Sequence, residues 1–479
     1  MNLNPINRRT FFDRVSDGLY GIGLSSLLMQ DLYGEKPHHS AALPTNTKPR
    51  KPHFAPKARA VIQFCMQGGP SQVDLFDPKP ALEKYHGKDA PEEFTKVAPA
   101  GRSMKGKVMR SHWKFAQYGQ SGAWVSELLP HTAKEIDQIA IIRSMFNVHE
   151  NHEPACYKWQ SGETFPGHPT MGAWITYGLG SVNQNLPAYV VLADPNNKFA
   201  VNGVENWMSG YLPPLFQGTS IKSEGTPMLH LKPDYEEPVG VTAAKRNLIN
   251  ALDSFHKSKR PNQPVLDSRI ANYQMAARMQ VEATEALDIS EESESTRVMY
   301  GVGEKVTDNF GKRCIMARRL VERGVRFVQI YPQGQKWDNH SDIKTSLPAA
   351  CRESDKPCAA LLRDLRQRGL LDDVLVLWGG EFGRLPMAQG DYAKAGRDHG
   401  PSGFTNWMAG GGVKGGVVYG ETDDIGFGAV KDRVSIQDWH ATILHLLGMN
   451  HEKLYFDRNG LHERLTHTYP TRVVKEILT

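Results

Sequence analysis

The chain has 479 residues, about three times a ~150-residue domain, and its 57 Lys and Arg against 52 Asp and Glu leave a formal charge of only +5. That excess is too small for the length to mark a nucleic-acid partner. Hydrophobic residues at 40% and charged residues at 23% exclude a disordered or fibrous chain, and with no run of about eighteen apolar residues no membrane span is expected.

At the N-terminus, NRRTFF places Arg8 beside Arg9 ahead of the apolar run GLYGIGLSSLLM. This fits a twin-arginine export signal over residues 1–34, which predicts a periplasmic or extracellular protein. The competing reading is an amphipathic helix, because Asp13 and Asp17 interrupt the run and no A-x-A site follows. Residues 35–57, rich in Pro, Lys and His, read as a linker, and a single domain is expected over 58–479.

From residue 58, short apolar runs alternate with helical stretches, the rhythm of a doubly wound α/β sheet. Strands are predicted over 58–66, 139–146, 186–193, 325–331, 373–379 and 404–410, and helices over 126–137, 309–324 and 349–369. The strands are apolar nearly throughout, as strands covered on both faces should be. Residues 240–300 carry a long helical pair with little strand signal and read as a helical insertion or cap. The five cysteines lack Cys-x-x-Cys spacing. Cys351 and Cys358 are seven residues apart, about 10 Å on a helix and too far to bridge, so free thiols are expected.

Ligands of open α/β sheets gather outside the carboxyl ends of the strands. There the sequence supplies Ser71, Asp74 and Asp77 after the first strand, and His149, Asn151, His152 and Glu153 after the second. Asp338, Asn339, His340 and Asp342 follow the fourth, Glu381 and Arg384 the fifth, and Asp398 and His399 precede the sixth. Each residue type also serves in turns and N-caps, but five separate segments bring carboxylates and imidazoles to one sheet edge. Such a set suits one or two divalent metals. Asp438 reads as the N-cap of a helix whose His440 and His445 are structural, while His168 is either a cap neighbour or a substrate contact. GGGVKGG lacks the GK[ST] ending of a P-loop, and GGEFG has no nucleophilic Ser between its glycines.

The segments FCMQGGPSQVDLFDPKP, NHEPA, GHPTMGAWITYGLG, WDNHSD, LWGGEFGRLPM, GRDHGPSGFTNWMAGGGVKGG and DWHATILHLLG closely resemble a bacterial family known as domain of unknown function fifteen-oh-one. That family is similar to the alkaline phosphatase and sulfatase superfamily. The resemblance implies an alkaline-phosphatase-like, doubly wound mixed sheet flanked by helices, and an exported metal-dependent hydrolase of phosphate or sulfate esters. Superfamily enzymes carry a Ser, Thr or formylglycine nucleophile after the second strand, where this sequence has His152 and Glu153. The nearest approach to a formylglycine motif, Cys314 to Arg318, has Met316 at its middle position and reads as mid-helix.

The resemblance therefore points to a metal-activated water as nucleophile. Asp338, His340, Glu381, Asp398, His399 and Asp74 become the candidate metal ligands, with zinc, calcium, magnesium and manganese all compatible. His152 or Glu153 would act as general base or further ligand, Arg384 would hold the anionic substrate, and Ser71 is an outside candidate for nucleophile. The expected partner is a small anionic ester or a sulfated or phosphorylated saccharide. A non-catalytic exported binding or assembly protein on the same fold is the alternative, since the usual nucleophile is missing. A mutase or transferase would further need a phosphorylatable residue.

Overall fold

The computed structural model describes residues 46–95, 106–193, 201–223, 238, 240–260 and 263–479. Two compact units divide the chain, Met1–Leu43 and Pro44–Thr479. The first lies outside the described residues, and with it the twin-arginine reading.

The second unit is built on one mixed sheet. Its strands are β1 (Ala60–Cys65), β2 (Ile139–Phe146), β3 (Tyr189–Ala193), β4 (Thr219–Lys222), β5 (Phe327–Ile330), β6 (Val374–Gly379), β7 (Phe404–Ala409), β8 (Val417–Tyr419) and β9 (Val434–Ser435). The order is β8-β2-β7-β6-β1-β5-β3-β4, with β9 also pairing β2. All six strands expected from the sequence are present; the other three of this sheet are short, two to four residues each. Strand β1 runs parallel to β5 and β6, with Val61 opposite Phe327 on one side and Leu375 on the other. Only β7 is reversed, antiparallel to both β2 and β6. The carboxyl ends of β1, β2, β5 and β6 therefore share an edge with the start of β7, so a residue preceding β7 can join residues that follow the others.

Helices cover both faces. Along β1 and β5, Ile62, Phe64, Val328 and Ile330 join the main apolar cluster. It also contains Phe310, Ile315 and Leu320 of α5 (Asp308–Glu322) and Leu347, Leu361 and Leu365 of α6 (Ile343–Gln367). Before these in the chain come α1 (His152–Ser161), α2 (Met171–Leu179), α3 (Val241–Ser258) and α4 (Pro264–Leu287). In the segment read as an insertion, α4 sends Met275, Met279 and Ala283 into the same cluster. By contrast, α3 buries no residue.

On the opposite face the sheet is polar at its centre. Gln329 Nε2 donates to Gln63 Oε1 and to Gln160 Oε1, both at 2.9 Å, and Tyr189 donates to Gln329 Oε1 at 2.6 Å. These bonds pin α1, which carries Gln160, onto β1 and β5. They also satisfy the Gln329 amide and the Gln63 and Gln160 oxygens, while Gln63 Nε2 is buried without a partner among the described residues.

Three expectations need correction. The helix expected over 126–137 is instead the end of a short strand, Ala123–Ser126, and a 3-10 turn, Thr132–Gln138. Pro130 disfavours helix at Leu129, and Asp355 of α6 accepts the His131 and Thr132 N–H groups. The cap of α7 (Ile436–Leu446) is Ser435 rather than Asp438: the Ser435 hydroxyl accepts the Asp438 N–H, and Asp438 accepts the Ser435 N–H in return. Residues 46–57, expected as linker, bond to the domain, with Arg50 N–H on Leu179 O and Lys57 N–H on Leu446 O. His440 is structural, bonded through Nε2 to Trp159 O at 2.9 Å and pushed down to about 3 by burial. All five cysteines are free and buried.

Gln329→Met should leave the Gln63 and Gln160 amide oxygens and the Tyr189 hydroxyl without their buried partner. A loss of about 1–3 kcal/mol per stranded group sets the scale; urea denaturation should show a clear fall in midpoint with an unchanged slope.

Candidate metal centre

Four side chains from three segments converge at the shared sheet edge. His152 opens α1, Asp338 and His340 lie in the loop after β5, and His399 stands just ahead of β7. One ligand atom from each lies within 4.8 Å of all the others. Asp338 Oδ1 is the common point, 2.9 Å from His340 Nε2, 3.2 Å from His152 Nε2 and 3.3 Å from His399 Nε2. His340 Nε2 and His399 Nε2 are only 2.8 Å apart.

The far nitrogen of each ring decides what this means. His152 Nδ1 faces Glu381 Oε1 at 2.7 Å, His340 Nδ1 faces Gln389 Oε1 at 2.5 Å, and His399 Nδ1 faces the Glu150 carbonyl at 2.6 Å. Three acceptors on three Nδ1 atoms fix the ring orientations and turn three Nε2 atoms toward one carboxylate oxygen. Outer hydrogen bonds of this kind orient metal-ligating imidazoles and raise their basicity.

Local chain geometry enforces the convergence. Gly68 has φ +110°, and a Cβ there would sit 2.5 Å from Asp338 N, so only glycine lets the loop after β1 lie against Asp338. In that position the Gly68 N–H donates to Glu381 Oε1 at 3.0 Å. A two-residue ladder sets His399 opposite Arg384. Gly396 lets the returning strand pass the His340 backbone, where a Cβ would meet Asn339 O at 2.2 Å. Phe382 packs 4.6 Å from the His399 ring and 4.9 Å from His152. The centre opens on one side, where the His340 side chain is 36% exposed against 12% for His152.

Several residues expected in the site act otherwise. Glu381 is fully buried and bonds to the outer nitrogen of His152, so it supports a ligand rather than supplying one. His152, expected as base or further ligand, is in the inner set. Arg384 is buried too, bonded to the Gly68, Gly69 and Arg397 carbonyls and to Asp338. It is a strut for the loop and not the substrate-facing contact expected. Asp74 is removed from the centre by Arg397, which binds its two oxygens at 2.7 and 3.1 Å. Ser71 donates to the same Asp74 at 2.6 Å and is fully buried, unsuited to attack. Asp398 accepts the His399 N–H and lies 3.8 Å from His340 Nδ1, half exposed beside the opening. Glu153 is exposed in the first turn of α1. Gln389 and the Glu150 carbonyl were not foreseen: neither a lone amide nor a backbone oxygen carries a sequence signature.

Charge follows from this layout. Burial alone would raise Asp338, but hydrogen bonds from His152, His340 and His399, with Arg384 beside them, hold it far below the ordinary carboxylate range. Burial would lower His152, yet its bonds to Asp338 and Glu381 carry it to about 9. His340 is raised by Asp338, whereas burial and the neighbouring cations push His399 down. The Cys156 thiol, buried near Glu381, is pushed well up and stays protonated.

The sequence matches the family described as Protein of unknown function (DUF1501) over residues 58–478. The chain belongs to this family. No curated protein matches it. Among solved structures, this DUF1501 chain is similar to the lipoteichoic acid synthase LtaP from Listeria monocytogenes at 10% identity, covering 86% of this chain and 76% of that one with a TM-score of 0.34. The PsFucS1 sulfatase from Pseudoalteromonas sp. aligns at 11% identity over 90% and 71%, with a TM-score of 0.33. The alkaline phosphatase from the Antarctic bacterium TAB5 aligns at 8% over 82% and 99%, with a TM-score of 0.32.

A divalent ion entering this DUF1501 site must displace the proton that His152 holds below about pH 9. Titration with zinc at pH 7 in buffers of different ionisation enthalpy should show protons released, and apparent affinity should rise from pH 6 to pH 9. Affinity independent of pH over that range would mean the imidazoles are not the ligands.

Proposed function

We propose that the chain is an exported, metal-dependent hydrolase of phosphate or sulfate esters. The observation that carries this reading is the convergence of three imidazole Nε2 atoms and one carboxylate oxygen with every Nδ1 already committed to an acceptor. Three nitrogens with one oxygen suit zinc better than calcium, magnesium or manganese, which favour oxygen ligands. A bound divalent ion supplies a Lewis acid for the ester oxygen and lowers the pKa of water toward neutrality.

The chain's own groups do the rest. Asp338 is neutralised by Arg384, and Glu381 stays buried behind His152. A divalent charge against that remaining carboxylate leaves the buried centre net positive, which favours an anionic ester at the open side by His340. Asp398, half exposed, stands 3.8 Å from the outer Nδ1 of His340 and adds a carboxylate to the rim of the opening. The exposed rim suits a phosphorylated or sulfated saccharide as well as a small ester. The paired arginines Arg8 and Arg9 support export as a folded protein.

Purified wild type should hold near-stoichiometric divalent metal and hydrolyse aryl phosphates or sulfates. His399→Ala and Asp338→Asn should lose both metal and turnover. Glu381→Gln should keep the fold with metal affinity about 10–100-fold lower. Full metal loading with no turnover on any aryl ester would select the non-catalytic binding protein, and equal metal content in all four proteins would remove the centre altogether.

A further inference from the structure

Helix α3 faces the wrong way for a helix that packs on its own domain. Leu248, Leu252 and Phe255 recur at four- and three-residue spacing with Ile249 beside them, and are 61%, 58%, 64% and 54% exposed. Its contacts with α4 are polar: Asn250 accepts from Gln274 at 3.3 Å, and Lys257 pairs with Asp267 at 2.7 Å. An amphipathic surface helix ordinarily turns its apolar stripe to the core, whereas here that stripe points to solvent.

The charges say what belongs against it. By the same spacing the stripe runs from Lys245 through Leu248, Leu252 and Phe255 to Lys259, so a lysine stands at each end. Lys259 Nζ lies 5.5 Å from the centre of the Phe255 ring. Residues 241–260 contain five Lys and Arg against one acid, Asp253, and with Lys257 paired to Asp267 of α4 a net +3 remains, beside +5 for the whole chain. Two copies of this face would bring like charges together. A nucleic acid would meet the charge and leave the leucines and phenylalanine in water. A surface of anionic lipid meets both, since headgroup phosphates take the lysines and the acyl boundary takes the apolar stripe.

We propose that α3 is an interfacial anchor that lays Leu248, Leu252 and Phe255 into an anionic membrane surface, holding the domain at the bilayer without spanning it. The proposal is independent of the metal centre.

Co-sedimentation of the full chain with phosphatidylcholine vesicles, with and without phosphatidylglycerol, tests it. Binding is expected on the anionic vesicles and about tenfold or more weaker on neutral ones or at high salt. Leu252→Asp with Phe255→Asp should abolish it, and Lys259→Glu with Arg260→Glu should weaken it about tenfold, both with unchanged metal content. Leu461→Asp, at a residue 64% exposed in another part of the fold, should bind as wild type. The charge-reversal pair keeps the test decisive if the aspartates disturb folding. Binding unaffected by either α3 pair, equal binding to neutral vesicles, no binding to any vesicle, or a dimer that the aspartate pair converts to monomer would each overturn the proposal.

Discussion

Two imidazole nitrogens 2.8 Å apart, each ring with its far nitrogen against an acceptor, can share one proton or one cation but cannot both be protonated. His340 and His399 are in that position, and His152 turns a third Nε2 toward the same Asp338 oxygen. A proton answers this in part, as the raised His152 and His340 and lowered His399 indicate: three adjacent rings cannot all be charged. A divalent cation held by the same atoms would answer it as well. Much of the surrounding structure serves to keep those rings from turning away.

That service is distributed through the fold. Glu381, Gln389 and the Glu150 carbonyl fix the three Nδ1 atoms, and Arg384 ties the Gly68–Gly69 loop to Asp338. The buried glutamine network secures α1, so the His152 end of the helix is set by contacts on β1 and β5 as well as by its own loop. The reversed strand β7 is what allows His399 to precede its strand while every other ligand follows one.

Much of this was legible in the sequence because its causes are local. Apolar runs marked six of the nine strands of the main sheet, and Asp, His and Glu after them marked the site edge. The rest depends on packing that no spacing encodes. His152 joins the cluster while Glu381, fully buried, meets its outer Nδ1 and accepts the Gly68 N–H instead. Asp74 looked like a ligand from its strand-end position, but Arg397, distant in sequence, reaches it first. Arg384 looked like a substrate contact, yet the two glycines after β1 fold their carbonyls over its guanidinium. The helix expected at 126–137 gave way to Pro130 and to Asp355, whose carboxylate takes the backbone donors a helix would have used internally.

The most direct measurement of the central claim is X-ray absorption at the metal edge of the purified, zinc-loaded protein. Three His side chains and Asp338 predict a shell of nitrogen and oxygen scatterers at about 2.0–2.1 Å with the multiple scattering of three imidazoles. Sulfur scatterers at about 2.3 Å, or an oxygen shell without imidazole, would contradict it.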